Sequence, residues 1–400
     1  MHILLIHQAF ASINEPGGTR HHEFARYLSH AGHQVSIIAS PISYLTGKGK
    51  QNRTVEFDMD GKIAIYRAYT YPALHKSFIH RLFSFFSFIV SSFIISIKIK
   101  NVDLVWGTSP PIFQSFTAWL VSILKHVPFL LEVRDLWPAF AVAVGVLNNK
   151  FLIKLSLWLE HFLYKQADKL IVNSPGFIEH IENKGGKNIT LIPNGAEPSD
   201  FEYINSTVTR EMMGWTKDYI FLYAGAHGIS NDLSVVLQAA KLLENRPGIR
   251  FVFLGDGKEK NNLIDFAKSL NLSNVQFSNP VPKNEIQAYF QASDVCIAIL
   301  KSIDLYKTTY PNKVFDYMAA GKPILLAIDG VIRDVVEAAQ CGFYCQPGNP
   351  QAFADAVIQI TNQKDKMDEM GSHGKSYLEQ HFNRKTIAKQ LGEIILEMIK

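Results

Sequence analysis

Short apolar runs alternate with amphipathic stretches along the whole chain of 400 residues. The run Ile3 to Ile6 suits a buried parallel strand, because a strand covered on both faces reads as continuous hydrophobic sequence. A loop follows, Asn14-Glu15-Pro16-Gly17-Gly18-Thr19. Phe24, Tyr27 and Leu28 then recur at helical spacing, Gly32 ends that helix, and Val35 to Ala39 is the next strand. The same rhythm continues with strands over Asp103 to Trp106, Phe129 to Val133 and Lys169 to Asn173. Polar, Gly and Pro residues gather just after each, as in Arg134-Asp135-Leu136-Trp137-Pro138. This predicts an α/β fold with a parallel sheet and ligands at the carboxyl ends of its strands.

A second βα series begins after Leu191-Ile192-Pro193-Asn194-Gly195. Residues 197–217 are polar without a period and read as an interdomain connection. Strands are expected over Tyr219 to Ala224, Arg250 to Leu254, Val275 to Phe277, Val295 to Ile299 and Pro323 to Ala327, and an amphipathic helix over Thr386 to Ile399. Length agrees with two domains, since one core rarely grows to this size. The segment Phe78 to Ile99 stands apart, rich in Phe, Ile and Ser with no acidic residue. Its apolar core is shorter than the roughly 20 residues that a spanning helix needs. A helix packed on the sheet is expected, either plain core or touching a membrane surface.

Composition changes this picture little. Hydrophobic residues make up 47% and charged residues 19%, a globular balance. Three cysteines form no paired framework and no zinc spacing. Met1 and His2 run straight into ILLIH, which lacks the basic start and long apolar stretch of a secretory signal, so a cytoplasmic location is expected. The net charge of +4 is concentrated in residues 1–100, with eleven Lys and Arg against five Asp and Glu. Such a field favours a diphosphate or anionic lipid. No nucleic-acid motif is present, and nucleic acid is not expected as a partner.

The most informative stretch is Tyr310-Pro311-Asn312-Lys313-Val314-Phe315-Asp316-Tyr317-Met318-Ala319-Ala320-Gly321-Lys322-Pro323. Pro311 suits a helix start, and Gly321 with Pro323 suits a stop. The first turn of such a helix offers unpaired N–H groups at Asn312 and Lys313, a place for phosphate, and Lys313 adds a full charge. Asp316, one turn on, can accept hydrogen bonds from a ribose diol. The plainer alternative is a capped helix with solvated charges.

This segment resembles the donor-site helix of retaining glycosyltransferase family 4, within the GT-B superfamily. The usual form has two glutamates separated by seven residues, the second before an Ala-Met-Ala-like run. Asp316 falls at the second acidic position, and the first falls at Thr308, which is not acidic. The chain looks like a subgroup resembling bacterial surface-polysaccharide and O-antigen amino-sugar transferases. Other elements agree in order and spacing: the Gly17-Gly18 loop, Tyr164 to Ser174, the crossing at Leu191 to Phe201 with Asn194, and Phe253 to Lys258 with its Gly255-Asp256-Gly257 turn. The resemblance implies two Rossmann-like domains facing a deep cleft, over residues 1–193 and 194–380, with a helix over 381–400 crossing back to the first.

Donor contacts are implied at Gly17, Gly18, Asn194, Gly225, His227, Gly255, Gly257, Lys258, Asn312, Lys313 and Asp316. Many family members clamp the diphosphate with Arg and Lys after the first strand of the second domain. Here Ala224 to Leu233 offers His227 instead, with a loop histidine bonding backbone as the alternative. On the acceptor side, Asp135 is the candidate to face the reacting carbon, with Arg134 and Glu132 as neighbours, and a structural ion pair is the alternative. Asp58 and Asp60 carry the letters Asp-x-Asp, but Glu56 to Lys62 reads as a surface turn, so no metal is required and no cofactor is expected.

The expected reaction moves a sugar, with retention, from a nucleotide-diphosphate sugar, UDP favoured, to a glycan or polyprenyl-diphosphate-linked acceptor. Residues 78–99 are the place for peripheral contact with the inner face of the plasma membrane. A UDP-sugar epimerase on the same fold and a non-catalytic nucleotide- or membrane-binding protein remain open.

Overall fold

The structure is a computed structural model that describes residues 1–400 other than 16, 44–46, 48, 50–53, 60, 74–77 and 202–205. It divides into two compact units, residues 1–13, 18–193 and 385–400, and residues 14–17 and 194–384.

Among the described residues, the first unit holds eight strands. They are β1 (His2–Ile6), β2 (Gln34–Ala39), β3 (Val55–Asp58), β4 (Ile63–Arg67), β5 (Leu104–Ser109), β6 (Phe129–Val133), β7 (Lys169–Val172) and β8 (Ile189–Leu191). Their order across the sheet is β3-β4-β2-β1-β5-β6-β7-β8. All neighbours are parallel except β3, which pairs antiparallel with β4. Ile3 sits opposite both Val35 and Leu104, so the opening apolar run is the centre of the sheet and is buried throughout. The chain runs outward from β1 in one direction through β2 and in the other through β5. That reversal leaves a crevice at the carboxyl ends of β1 and β5, where open α/β sheets take ligands.

The second unit has, among the described residues, a six-stranded sheet whose neighbours are all parallel. Its strands are β9 (Tyr219–Ala224), β10 (Ile249–Leu254), β11 (Val275–Ser278), β12 (Val295–Ile299), β13 (Ile324–Ala327) and β14 (Gly342–Tyr344), in the order β11-β10-β9-β12-β13-β14. Its reversal falls between β9 and β12. The loop after β9 carries Gly225 and His227, and the chain beyond β12 leads to the helix Asn312–Ala319.

Four of the described strands were not expected from the sequence. β3 is an edge strand with an exposed Val-Glu-Phe sequence, β4 follows it in a hairpin, and β8 and β14 have three residues each. The Asp-x-Asp stretch is therefore corrected in part. Glu56 and Asp58 belong to β3, the turn starts at Met59, and Asp60 lies outside the described residues. Asp58 is not a free surface group, because its Oδ2 lies 2.8 Å from Nε2 of the buried His22. The polar stretch 197–217 also holds a helix, Ser206–Met213. The last helix is Arg384–Ile399, and its Leu391 and Ile395 are fully buried. Residues 385–400 group with the first unit, where a Cβ on Gly392 would lie 3.7 Å from Leu28.

Candidate active site

In the second unit, the helix Asn312–Ala319 starts at Asn312 with Pro311 as its extended cap residue. Its first two N–H groups have no intrahelical carbonyl to reach. Lys313 turns inward from this first turn. Its Nζ sits 3.8 Å from the centroid of the Tyr223 ring and has no hydrogen-bond partner among the described residues. Burial lowers its ammonium to about 7. The loop after β9 makes room for it: a Cβ on Gly225, whose φ is +139°, would stand 3.2 Å from Nζ. A buried cation without an anion is costly, and such a group is a candidate place for an anion.

Asn312 is already occupied by the fold. Its Nδ2 donates to Asp316 Oδ2 at 2.9 Å, and its Oδ1 accepts from Arg384 Nη2 at 3.3 Å. Arg384 is buried and also bonds the Gly195 carbonyl. Asn194 Nδ2 donates to the Tyr310 carbonyl at 2.7 Å, so Asn194 anchors the approach to the helix. Asp316 keeps its Oδ1 3.9 Å from Lys283 Nζ and remains partly exposed.

His227 is fully buried against aromatic rings, with Phe277 and Tyr223 at 6.2 and 6.0 Å. Neither ring nitrogen has a hydrogen-bond partner among the described residues. Burial, then Lys260 and Lys313, lower its pKa to about 4, so it is neutral at pH 7 and supplies no charge to a diphosphate. Its backbone is what the loop uses. His227 N–H donates to the Asp256 carbonyl at 2.8 Å, and a Cβ on Gly257 would strike the His227 carbonyl at 2.5 Å. Gly255 packs as tightly on Gly225. Lys258 is exposed, whereas Lys260 folds back to donate to the Gly255 carbonyl at 2.8 Å. Thr308, at the first acidic position of the family pattern, ends a short 3-10 turn and donates to the Leu305 carbonyl at 2.7 Å.

In the first unit, the candidates Glu132 and Arg134 contact Arg20, His21 and His7, which sequence reasoning missed. Glu132 ends β6 fully buried, with Oε1 2.9 Å from Arg20 Nε and Oε2 2.6 Å from His21 Nε2. Burial alone would raise this carboxyl, but His21 and Arg20 outweigh it and hold it well below the usual range. Burial lowers His21 to about 4, so it is a neutral Nε2–H donor and Arg20 carries the compensating charge. Arg20 also donates to the Pro193 and Ile192 carbonyls, both at 2.6 Å. Both carboxylate oxygens of Glu132 are thus engaged by Arg20 and His21.

Arg134 donates to Thr108 Oγ1 at 2.6 Å and to the Pro110 carbonyl at 3.0 Å. Its Nη2 lies 3.0 Å from His7 Nε2. A guanidinium can only donate, so His7 Nε2 accepts and the proton sits on Nδ1. The His7 ring lies 4.3 Å from that of His21. Beside them, burial pushes the Asp135 carboxyl up to about 7 against the pull of Arg134 and the Leu136 N–H. Gly17 and Gly18 are exposed, and Gly18 has nothing within 4 Å of a built Cβ, so packing does not require glycine there. The run Arg20-His21-His22 directly after this loop was the available signal for the missed cluster. Among the described residues, no group of three or more His, Cys, Asp or Glu could hold a metal ion.

Two Rossmann-like α/β units with their switch points so equipped define the GT-B fold of glycosyltransferases. Residues 17–195 match the family described as "Glycosyl transferase 4-like domain", and residues 208–377 match "Glycosyl transferases group 1". The chain belongs to this group 1, 4-like family of glycosyltransferases. A Bacillus subtilis (strain 168) protein named as a glycosyltransferase of teichuronic acid biosynthesis, TuaH, is 23% identical over 226 residues, 55% of this chain and 54% of that protein. The matched stretch spans little more than half of such relatives, 54% and 58% for the first two. Sucrose-phosphate synthase from Thermosynechococcus elongatus superposes with a TM-score of 0.81 at 18% identity, covering 99% of this chain and 98% of that one. Anabaena HepE in complex with UDP-glucose superposes with a TM-score of 0.75 at 15% identity, covering 99% of this chain and 100% of that one. The two family matches favour a transferase over an epimerase.

Proposed function

We propose that this glycosyltransferase moves a sugar from a UDP-sugar, with retention, to a glycan or polyprenyl-diphosphate-linked acceptor in surface-polysaccharide assembly, of the O-antigen amino-sugar type. The observation that carries the donor half is the buried, unpaired ammonium of Lys313 in the first turn of the helix Asn312–Ala319. As the sugar bond breaks, charge accumulates on the leaving diphosphate. Lys313 and the helix N–H groups are preorganised to receive it, and no metal is required. Binding a diphosphate beside Lys313 restores its proton, because an adjacent anion favours the charged form. Asp316 holds the ribose, and the glycine-tight loops at Gly225, Gly255 and Gly257 let backbone approach the nucleotide. The complex of HepE with UDP-glucose and the name of TuaH support the donor class and the product class respectively.

In this reading Arg134 and Asp135 handle the acceptor hydroxyl, and Glu132 holds Arg20 and His21 in place behind them. The acceptor is met at the cytoplasmic face of the plasma membrane, with residues 78–99 in contact with lipid. The test is a panel of nucleotide-sugars scored by thermal stabilisation, since a ligand that binds the folded state raises its apparent stability. UDP-sugars should stabilise the protein, and Lys313→Ala should reduce the effect. Stabilisation that survives both Lys313→Ala and Asp316→Ala sinks this donor site. Conversion of the nucleotide-sugar to an epimer without acceptor would favour the epimerase instead.

A further inference from the structure

The helix Phe78–Lys98 is inverted relative to an ordinary surface helix. Its buried side is made by Phe88, Ser92 and Ser96. The two serines strand no polar atom, because Ser92 Oγ donates to the Ile89 carbonyl at 3.2 Å and Ser96 Oγ to the Ser92 carbonyl at 2.7 Å. Its outer side is a stripe of Phe83, Phe86, Val90, Ile94 and Ile97, spaced by three and four, with Phe86 at 59% exposed while Ser96 is at 0%. A helix that faces water carries these residue types the other way round.

The stripe is not confined to one helix. The helix Ile112–Lys125 packs beside it, with the Phe113 ring 5.4 Å from Phe85, and leaves Ile123 and Leu124 exposed. The helix Lys150–Gln166 packs on the far side of that one, with Phe162 4.8 Å from Trp119. It too turns large apolar residues outward, Phe151, Leu155 and Trp158 at positions i, i+4 and i+7. Large apolar residues turned outward on three helices packed side by side mark an interaction surface.

Charge decides what covers it. Residues 61–159 contain ten Lys and Arg and only three Asp and Glu. None of the three acids lies on this face. Asp103 accepts from the His2 N–H, Glu132 is buried, and Asp135 follows β6. Exposed Lys98, Lys100, Lys150 and Lys154 border the apolar stripes. A second copy of this chain would set the same basic rim against itself. Among the described residues, no helix is long and apolar enough to cross a membrane.

We infer that these three helices form one face that lies on an anionic lipid bilayer, with the apolar stripes inserted at the acyl boundary and the lysines at the headgroups. This rests on the lipid contact proposed above for residues 78–99, and enlarges it to a face that includes residues 123–124 and 151–158.

The test is flotation of the full chain with phosphatidylglycerol-containing vesicles against pure phosphatidylcholine vesicles. The chain should float with the anionic vesicles and less so in high salt. Phe86→Asp with Ile94→Asp, and separately Phe151→Asp with Trp158→Asp, should each lower vesicle partitioning about tenfold or more, from the lost apolar burial. Both pairs should leave UDP-glucose stabilisation and the oligomeric state unchanged. The inference is overturned if the chain ignores anionic vesicles, if the second pair has no effect, or if these residues prove to be a dimer interface by light scattering. Vesicle binding without nucleotide-sugar binding would instead defeat the donor reading and leave this face standing.

Discussion

The Lys313 ammonium rests 3.8 Å above the Tyr223 ring, and no oxygen of the described residues accepts a hydrogen bond from it. The ring offers only its π-face, worth about 2 kcal/mol in a desolvated site. That falls well short of what a paired anion would return. The arrangement fits a cation kept ready for a ligand rather than one that holds the fold together.

Removal of this cation should therefore separate binding from folding. Lys313→Ala is expected to weaken UDP-sugar binding by about 10- to 100-fold, the equivalent of about 1.5–3 kcal/mol for a charge-assisted hydrogen bond. Thermal stability of the free protein should stay level or rise, since an unpaired buried charge is lost. Calorimetric titration and unfolding of the same variant check both halves, and unchanged affinity would contradict the first.

The same group makes donor binding depend on pH. Burial lowers Lys313 to about 7, so between that value and the ordinary lysine range the unfolded chain binds more protons than the folded one. The free protein should gain stability as pH rises across that window, and bear the full cost of the cation below it. A bound diphosphate reverses the preference. Donor affinity should be highest below pH 7 and fall as pH rises, by up to about tenfold per pH unit. Titrations at a series of pH values should show this slope in the native chain and a flat line in Lys313→Ala.

Glu132→Gln leaves Arg20 buried without its carboxylate. A destabilisation of about 3–5 kcal/mol is expected, measured by urea unfolding at neutral pH. Because the folded-state pKa of Glu132 is depressed, its stabilisation is present above the unfolded carboxylate range and is lost as pH falls through the folded value. The gap between native and variant stability should narrow toward acid pH. A gap that stays constant would mean that the ion pair is not its source.

Asp135 carries the opposite sign. Its carboxyl is pushed up to about 7, so the folded chain holds this proton longer than the unfolded one, and stability falls as pH rises from the ordinary carboxylate range to 7. If the ionised form assists the acceptor hydroxyl, kcat at saturating donor should rise through pH 7. Asp135→Asn should lose about 100-fold in rate together with that limb of the profile. A variant that keeps both would restrict Asp135 to a structural role.

Much of the architecture was legible along the chain. Ile3 to Ile6 and Phe129 to Val133 read as buried strands because a parallel strand covered on both faces needs uninterrupted apolar sequence. β3 was hidden because an edge strand keeps one side in water, and its Val55, Glu56 and Phe57 are exposed. The helix Asn312–Ala319 was announced by its Pro and Gly punctuation, which acts through local backbone geometry. The roles of neighbouring polar residues were not announced. Asn312 was read for its backbone N–H, and nothing in the sequence told that its side chain bridges Asp316 and Arg384. His227 looked like a polar loop group, yet its ring is buried among aromatics.

Strand and helix positions, the α/β alternation and the family pattern around Lys313 and Asp316 came from features a few residues long, since periodicity and turn chemistry are local. Charge states and partners came from contacts that span the chain. Arg20 and Glu132 are 112 positions apart, and Lys313 meets the ring of Tyr223 only where β9 and the helix Asn312–Ala319 converge. Desolvation and pairing set whether a lysine is a solvated surface charge or a buried one poised near neutrality, and both depend on which distant residues the fold packs around it.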